Sequence, residues 1–471
     1  MEFSFTDREI EIFKKVQIAA AKLDYPVYAI GGFPRDKILG RLIDDIDIVC
    51  LGNGIDLAKE VAHNFKHKPK VNFFKHFGTA MLHLEDLDLE FVGARKESYQ
   101  KDSRNPVVEN GTLEDDQNRR DFTINAMGID LSKEKFGTLL DPFNGMEDLK
   151  NRIIRTPLDP DVTFSDDPLR MMRAIRFATQ LEFDIEEETF ESIKRNAKRL
   201  KIISAERITT EVNKIILSTK PSIGFKLLFD SKLLHEFFPE MVKLHGVDYI
   251  EGLGHKDNFY HTLEVLENTA LKTDDLWLRW SAILHDIAKP PTKRFEEGIG
   301  WTFHGHEVLG ARWVPKIFKR FKLPLDEKMK FVQKLVRMHL RPIGLSDDIV
   351  TDSAIRRLLF DAGDDLEDLL LLCRADITSK NPKKVDRFLA NYDKLVKKIE
   401  DIEARDHIRN WQPPIDGELI MRTFDIPPSR IVGTIKDAIK DAILDGDIAN
   451  DFDAAFQFML VKGKELELTK A

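Results

Sequence analysis

Residues 28–50 read YAIGGFPRDKILGRLIDDIDIVC, and this stretch decides the fold of the first part of the chain. The apolar run before the glycine pair predicts a short strand, and the glycines predict a turn because such pairs interrupt regular structure. Acidic and apolar residues then alternate from Asp45 to Ile48, and Val49 and Cys50 continue the apolar run, which predicts a half-buried strand. A period of two places Asp45 and Asp47 on one face, about 6 to 7 Å apart at Cα.

The carboxylate pair and the glycine turn together indicate a phosphate site. Two carboxylates this close repel each other unless a cation lies between them, and Mg²⁺ prefers carboxylate and phosphate oxygens. Gly31 and Gly32 have no Cβ, so their backbone amides can approach a triphosphate at the positive end of the next helix. Arg35 adds a permanently charged group for phosphate. An ordinary turn followed by a solvated acidic strand is the alternative explanation.

Length, composition and charge limit the kinds of protein that this chain can be. With 471 residues, 42% of them hydrophobic and 32% charged, the chain predicts three or four soluble domains. No apolar run is long enough to span a membrane, and the first residues lack the features of a signal peptide. Cys50 and Cys373 are the only cysteines, so we expect no disulfide framework and a cytoplasmic protein. The net charge of −9 argues against a wholly basic surface but allows a local basic patch.

A third carboxylate is predicted from a β-hairpin over residues 77–94. The apolar residues of its second arm face one way, while Asp88 and Glu90 face the other. Glu90 can therefore reach the metal-binding face, although a solvated edge strand would show the same pattern. The polar segment 95–113 predicts an irregular loop.

The segment RRDFTINAM, residues 119–127, predicts a helix that faces a nucleotide. Its Arg120, Asp121 and Asn125 offer bidentate contacts to phosphate and contacts to ribose hydroxyls. A charged, capped start of an ordinary helix is the alternative explanation.

A second arginine-containing helix is predicted over FSDDPLRMMRAIRF, residues 164–177, with Pro168 near its start. Arg170, Arg173 and Arg176 recur every three residues and form a cationic stripe, which could also simply pair with acids or solvent. Asp167 and Arg170 together can offer an acceptor and a donor to the edge of a base.

These motifs occur in a recognisable order: GGFPRD with Asp45-Ile46-Asp47, RRDFTINAM, DDPLRMMRAIRF, and ERITTE at 206–211. In this order the chain resembles the bacterial class II tRNA nucleotidyltransferases, which comprise CCA-adding enzymes and bacterial poly(A) polymerases. The resemblance extends to about residue 215. One position departs from the family pattern, because Asp166 stands where the family usually has glutamate. We therefore assign the role that the resemblance implies at this motif to Asp167 and not to Asp166.

The resemblance implies a small α/β head with a mixed sheet, followed by largely helical neck, HD and tail domains. The expected bounds are 1–148 for the head, 149–245 for the neck, 246–385 for the HD domain and 386–471 for a tRNA-binding tail. It also implies tRNA, CTP and ATP as partners, and two Mg²⁺ ions held by Asp45, Asp47 and Glu90. Gly31, Gly32 and Arg35 are expected to hold the triphosphate. Arg120, Asp121 and Asn125 are expected on phosphate or ribose. Asp167 and Arg170 are expected to read the base, supported by Arg173 and Arg176.

A different set of residues marks the second half of the chain. A lone histidine in an apolar helix is usually a core residue, but a cluster with an adjacent His-Asp pair predicts a metal site between helices. The pattern resembles the HD phosphohydrolase domain that many class II nucleotidyltransferases carry. That resemblance implies His261, His285, Asp286 and Asp376 as ligands, extended by His306 and His339. Imidazole and carboxylate donors suit a divalent transition metal, with Mg²⁺ as an alternative.

The sequence thus predicts addition of C, C and A to tRNA, with a secondary phosphohydrolase. Poly(A) synthesis, or addition of only A or only CC, would use the same motifs. An alternative of another class is an HD phosphohydrolase with an RNA-binding front domain. The oligomeric state is not determined by these patterns.

Overall fold

The computed structural model describes residues 3–74, 78–85, 87–100, 103–250, 252–345, 350–379, 381–409 and 411–470. The chain divides into two compact units, Met1–Val242 and Lys243–Ala471. An α/β head followed by largely helical structure confirms the predicted fold class.

The first unit begins with most of the strands and ends in helices. Its strands are β1 (Val27–Ile30), β2 (Asp45–Cys50), β3 (Val71–Phe74), β4 (Thr79–Leu84), β5 (Leu87–Gly93), β6 (Arg95–Gln100), β7 (Ser103–Asn110), β8 (Gly128–Asp130), β9 (Leu139–Leu140), β10 (Ile153–Ile154) and β11 (Asp184–Ile185). Its helices are α1 (Asp7–Leu23), α2 (Gly32–Leu39), α3 (Gly54–His63), α4 (Leu113–Asn118), α5 (Gly145–Asn151), α6 (Pro160–Asp166), α7 (Leu169–Leu181), α8 (Glu187–Asn196), α9 (Ala205–Ile216), α10 (Pro221–Asp230), α11 (Leu233–Phe237) and α12 (Pro239–Val242).

A seven-stranded mixed sheet, in the order β3-β4-β5-β2-β1-β8-β9, organises the head. Strand β2 pairs antiparallel with β1 and parallel with β5, and this register places Asp47 beside Glu90. Ile46 and Ile48 lie in the main apolar core, where α1 and α3 pack on the sheet. Because side chains alternate along a strand, Asp45 and Asp47 face the opposite side.

The structure corrects the prediction of an irregular loop over 95–113. Strands β6 and β7 form an antiparallel hairpin there, and α4 begins at Leu113; residues 101 and 102 lie outside the described ranges. The sequences of these two strands show no regular alternation of apolar and polar residues, which is why the pattern predicted a loop and the prediction was wrong. The hairpin predicted over 77–94 is present as β4 and β5, with residues 77 and 86 again outside the described ranges.

Two helix predictions also need correction. Residues 119–127 do not form a helix, because α4 ends at Asn118 and only Thr123–Asn125 makes a short 3₁₀ segment. The Asp121 carboxylate accepts from the backbone N–H of Phe122, a local bond that competes with helix formation. The helix predicted over 164–177 is divided into α6 and α7. Asp167 has φ −134° and ψ 99°, because the residue before a proline disfavours helical backbone.

The second unit is built mainly from helices. Its helices are α13 (Asn258–Ala270), α14 (Leu276–Leu284), α15 (Lys289–Thr292), α16 (His306–Phe321), α17 (Glu327–Met338), α18 (Leu340–Gly344), α19 (Asp352–Ala362), α20 (Leu366–Asp376), α21 (Pro382–Asp406), α22 (Gly417–Phe424), α23 (Arg430–Asp445) and α24 (Phe452–Glu465). Its strands form two hairpins, β12 (Tyr249–Ile250) with β13 (Leu253–Gly254), and β14 (Arg294–Glu296) with β15 (Gly300–Thr302).

Helices α13, α14, α17 and α20 form a packed group, and α16 packs on α17. The histidine and aspartate residues of interest lie at or next to the ends of these five helices. Helices α22, α23 and α24 share a separate apolar core. Helix α23 is joined to α19 by ion pairs from Arg357 to Asp441 and Asp445. Among the described residues, none of the helices has the length and apolar character needed to cross a bilayer.

Candidate functional site

Three carboxylates come together on one face of the head sheet. Asp45 and Asp47 alternate with buried isoleucines on β2, and Glu90 lies beside Asp47 on β5. Desolvation, and then repulsion from Asp47, raises the pKa of both Asp45 and Glu90. Desolvation also raises the pKa of Asp47, against the attraction of Arg120. A set of oxygens that repel one another in this way fits a hard divalent cation such as Mg²⁺.

The turn before α2 closes one side of this carboxylate face. Gly31 has φ +81°, and a Cβ built on it would lie 2.8 Å from Asp47 Oδ2 and 3.0 Å from Arg120 Nη1. Only glycine fits here, both because of its backbone angle and because of the space. The backbone of the turn can therefore approach a ligand held between the carboxylates and Arg120.

Arg120 is held in place by Asp116, a residue that the sequence reasoning missed. The Asp116 carboxylate is fully buried and accepts from Nε and Nη2 of both Arg119 and Arg120. The spacing of three and four residues along α4 is the signal that could have found it. Burial would raise the pKa of Asp116, but attraction by Arg120 and Arg119 outweighs it and lowers the pKa.

A chain of buried polar contacts joins α2 to α7. Arg35 Nη1 donates to Asn125 Oδ1 at 2.6 Å, and Asn125 Nδ2 donates to Asp121 Oδ1 at 3.0 Å. Asp121 Oδ2 accepts from Arg173 Nε at 2.7 Å and lies 2.6 Å from its Nη2. Arg35 also forms an ion pair with Asp36. The predicted residues Arg35, Asp121, Asn125 and Arg173 thus contact one another within this unit.

Phe177 lies beside three of these arginines, which the sequence pattern did not indicate. The guanidinium carbons of Arg176, Arg35 and Arg173 lie 4.1, 5.0 and 5.3 Å from the centre of its ring. Arg176 also pairs with Glu211 at 2.7 Å. The stripe along α7 is therefore largely paired with acids and stacked on an aromatic ring, rather than solvated.

The residues expected to read the base lie at the start of α7. Asp167 Oδ1 accepts from the backbone of Leu169 at 3.1 Å, and its Oδ2 lies 3.4 Å from Arg207 Nη2. Arg170 is buried, and its Nη2 donates to the carbonyl of Arg119 at 2.5 Å. Each side chain thus has a partner of its own, and Arg170 connects α7 to the arginine pair of the head.

In the second unit, histidine and aspartate side chains form a buried cluster. His261 Nε2 lies 2.8 Å from Asp376 Oδ1, and His285 Nε2 lies 3.2 Å from Asp286 Oδ2. His306 Nε2 lies 3.1 Å from Asp286 Oδ1 and 3.3 Å from His339 Nε2. His261, His285 and Asp286 form one group whose ligand atoms lie within 4.8 Å of one another, and Asp286, His306 and His339 form a second.

Three of these histidines are oriented by the backbone. The Nδ1 atoms of His285, His306 and His339 lie 2.7 to 2.8 Å from the carbonyl oxygens three residues earlier, so each Nδ1 donates and each Nε2 is the ring nitrogen left for the cluster. This is the arrangement in which backbone carbonyls orient histidine ligands of a metal.

The charges of the cluster favour a cation at its centre. Burial alone would lower the pKa of His285, but the attraction of Asp286 and Asp376 raises it to about 10. Burial, followed by repulsion from His285, lowers the pKa of His339 to about 4. The buried His285 Nε2 has no hydrogen-bond partner of acceptable geometry among the described residues. The mixed nitrogen and oxygen donors therefore fit a divalent metal ion.

Comparison with known proteins follows the same division of the chain. Residues 27–155 match the poly A polymerase head domain, and residues 182–244 match a probable RNA- and SrmB-binding site of polymerase A. Residues 258–381 match the HD domain.

Named relatives and solved structures agree with these matches. A multifunctional CCA protein of Pseudomonas fluorescens is 34% identical over 64% of this chain and 71% of its own length. An A-adding tRNA nucleotidyltransferase of Aquifex aeolicus is 33% identical over 68% of this chain, which spans 38% of that relative. The fold matches a Bacillus stearothermophilus CCA-adding enzyme in complex with CTP, at 23% identity, a TM-score of 0.66 and coverage of 98% and 99% of the two chains. The chain therefore belongs to the tRNA nucleotidyltransferase family and is a nucleotidyltransferase with an HD domain.

Proposed function

We propose that this chain adds C, C and A to the 3′ end of tRNA from CTP and ATP. The observation that carries the proposal is the approach of Asp45, Asp47 and Glu90 beside the Gly31 turn and Arg120. The relatives named above as CCA and A-adding enzymes support the substrate class.

In the proposed mechanism the head holds the triphosphate and the RNA end together. Asp45, Asp47 and Glu90 would hold two Mg²⁺ ions, which when bound lower the pKa of the 3′-hydroxyl and neutralise the pyrophosphate. The amides of Gly31 and Gly32 would bind the phosphates, and Arg120 would supply a permanent positive charge. Asp121 and Asn125 fix the orientations of Arg173 and Arg35 through the contacts described above.

Base selection is assigned to the start of α7. Asp167 offers a carboxylate acceptor, and Arg170 offers guanidinium donors in addition to the one bound by the Arg119 carbonyl. A base that lacks the matching groups leaves these donors and acceptors unpaired, so it binds less well. Arg173 and Arg176 hold the helix through Asp121 and Glu211.

The test is incorporation by the purified full-length chain into tRNA that ends before CCA. With CTP and ATP together we expect three added nucleotides, and with CTP alone we expect two. Asp45→Ala and Asp47→Ala should each abolish addition, whereas Asp44→Asn, a change at the exposed neighbour on the same segment, should retain it. Addition that survives loss of Asp47 would refute the metal-binding role.

The same assay separates the narrower specificities, because the named relatives include both A-adding and CCA proteins. Addition of A only to tRNA that already ends in CC identifies an A-adding enzyme. Addition that stops after CC identifies a CC-adding enzyme, and long A tails identify a poly(A) polymerase.

We further propose a phosphohydrolase activity for the HD domain, on the observation of the buried His-Asp cluster. His261, His285, Asp286 and Asp376 would hold a divalent metal, with His306 and His339 extending the site. The bound metal would activate water against a phosphomonoester or cyclic phosphodiester. Lys289 Nζ lies 2.6 Å from Asp286 Oδ2, at the edge of the cluster, where it can reach a phosphate.

The two activities should be separable by substitution. Asp286→Ala should abolish hydrolysis of nucleoside 2′,3′-cyclic phosphates and of p-nitrophenyl phosphate, and should spare nucleotide addition. Glu297→Gln, at an exposed loop position of the same unit, is the matched control. If the protein hydrolyses phosphate esters but never incorporates nucleotides, the alternative of a phosphohydrolase with an RNA-binding front domain would return.

A further inference from the structure

Asp116 is the most completely buried carboxylate at the head site, and its four hydrogen bonds go to two adjacent arginines. One oxygen accepts from Arg119 Nε at 3.0 Å and from its Nη2. The other accepts from Arg120 Nε at 3.2 Å and from its Nη2 at 3.0 Å. Each guanidinium is therefore held along one edge, which fixes both its position and the plane in which it lies.

The other end of Arg120 lies at the corner between the Gly31 turn and Asp47, where the triphosphate site is proposed. Arg120 Nη1 lies 3.9 Å from Asp47 Oδ2 and 3.0 Å from the position that a Cβ on Gly31 would occupy. This corner lies between the glycine turn and a carboxylate proposed to hold Mg²⁺, so it is where phosphate oxygens are expected.

The same arginine pair is connected to the base-reading helix. The backbone carbonyl of Arg119 accepts from Arg170 Nη2, and Arg170 follows Asp167 at the start of α7. Asp116 thus binds both Arg120, whose Nη1 lies at the proposed triphosphate site, and Arg119, whose carbonyl binds Arg170 of α7. Within the described part of the chain, the side-chain hydrogen bonds of Asp116 all go to the two arginines. Its charge also raises the pKa of Asp47, so the test must show that the effect passes through Arg120.

We infer that Asp116 is a positioning residue for nucleotide transfer, which holds Arg120 so that its Nη1 meets the triphosphate. This inference rests on the proposed function of the head. Asparagine in the same place keeps one acceptor oxygen but turns an N–H group toward a guanidinium, which has only donors to offer. One of the two arginines must then move away, and its charge is no longer balanced.

The loss of affinity in an Asp116 variant should be large for ligands that carry a triphosphate and small for AMP. In Asp116→Asn we expect the KM for ATP and the inhibition constant of inorganic triphosphate to rise roughly ten- to a hundredfold, as for one misplaced charge-assisted hydrogen bond. The inhibition constant of AMP should stay close to that of the unchanged protein. A merely structural defect would weaken triphosphate and AMP alike, and that result would overturn the inference.

A double-substitution cycle tests whether the effect passes through Arg120. In an Arg120→Gln background, Asp116→Asn should add little further loss in triphosphate binding, because the group that it positions is gone. Equal losses in both backgrounds would refute the inference. Asp115→Asn is the matched control, since it removes the capping-box carboxylate of the same helix and leaves the arginine contacts intact.

Folding and the proposed function can be separated from this inference. If Asp116→Asn does not fold, Arg120→Gln alone must weaken triphosphate binding and spare AMP; unchanged triphosphate binding would again contradict the inference. If the unchanged protein adds no nucleotide to tRNA, the proposed function fails, whereas addition with no dependence on Asp116 contradicts only the positioning role.

Discussion

Gly31→Ala should lower the rate of nucleotide addition by more than its loss of folding stability explains. The residue has φ +81° and ψ −126°, a region that L-residues with a Cβ rarely adopt, so alanine costs on the order of 2 kcal/mol in backbone strain. The new Cβ would also lie 2.8 Å from Asp47 Oδ2 and 3.0 Å from Arg120 Nη1. Both groups belong to the proposed triphosphate site.

The structural displacement sets the expected size of the kinetic effect. Asp47 Oδ2 must retreat by at least about half an ångström to reach ordinary van der Waals contact. A shift of this size in a group that binds the reacting phosphates should reduce the rate of nucleotide addition on the order of a hundredfold. The fall should appear in kcat/KM for both CTP and ATP, because the triphosphate site is common to them.

Gly40→Ala is the matched control on the same helix. Gly40 has φ +65° at the C-terminal cap of α2, and a Cβ there has nothing within 4 Å. It should cost about 1 kcal/mol of stability and leave the rate of addition nearly unchanged. Rates are compared well below both melting transitions, measured by thermal unfolding. If Gly31→Ala and Gly40→Ala reduce the rate equally, the reasoning about the Gly31 corner is wrong.

Three further predictions concern the buried groups. Burial would raise the pKa of Asp121, but Arg173 and the hydrogen bond from Asn125 outweigh it and lower the pKa to about 2. Its charge therefore contributes stability that is complete above the ordinary value of 3.8 and is lost as the pH falls toward 2. The melting temperature of Asp121→Asn should accordingly lie below that of the unchanged protein at pH 6, by a difference that shrinks between pH 4 and pH 2; a constant difference would contradict this. Second, Mn²⁺ or Ni²⁺ should raise the melting temperature of the second unit in proportion to the logarithm of metal concentration, and His285→Ala should remove the effect. An equal shift in His285→Ala would place the metal elsewhere. Third, Phe177→Leu removes the ring beside three guanidinium groups, and each of these contacts contributes about 0.5 to 2 kcal/mol. It should slow nucleotide addition far more than the control Phe225→Leu, which changes a buried phenylalanine of α10. Equal rates in the two variants would show that the ring only fills space.

Periodic patterns in the sequence were enough to find the strands and residues of the carboxylate face. Alternation along β2 and β5 places Asp45, Asp47 and Glu90 on one face of the sheet, because side-chain direction in a strand follows from residue number alone. The family resemblance, confirmed by the relatives, supplied the order of the domains and the HD domain. The roles of the individual residues stay predictions that the experiments above address.

Contacts between distant residues could not be predicted in this way. Arg35 meets Asn125 ninety positions later, and Asp121 meets Arg173 fifty-two positions later, so no local periodicity reports them. The β6–β7 hairpin was missed because its sequence has no regular alternation of apolar and polar residues.

The sequence by itself determined which elements carry acidic, glycine and histidine residues, since these follow from local spacing and backbone preference. Only the tertiary structure decided which of the charged groups neutralise one another. Asp116 shows why: packing removes water from its carboxylate and leaves the guanidinium groups of Arg119 and Arg120 as its partners, which no local spacing rule could specify.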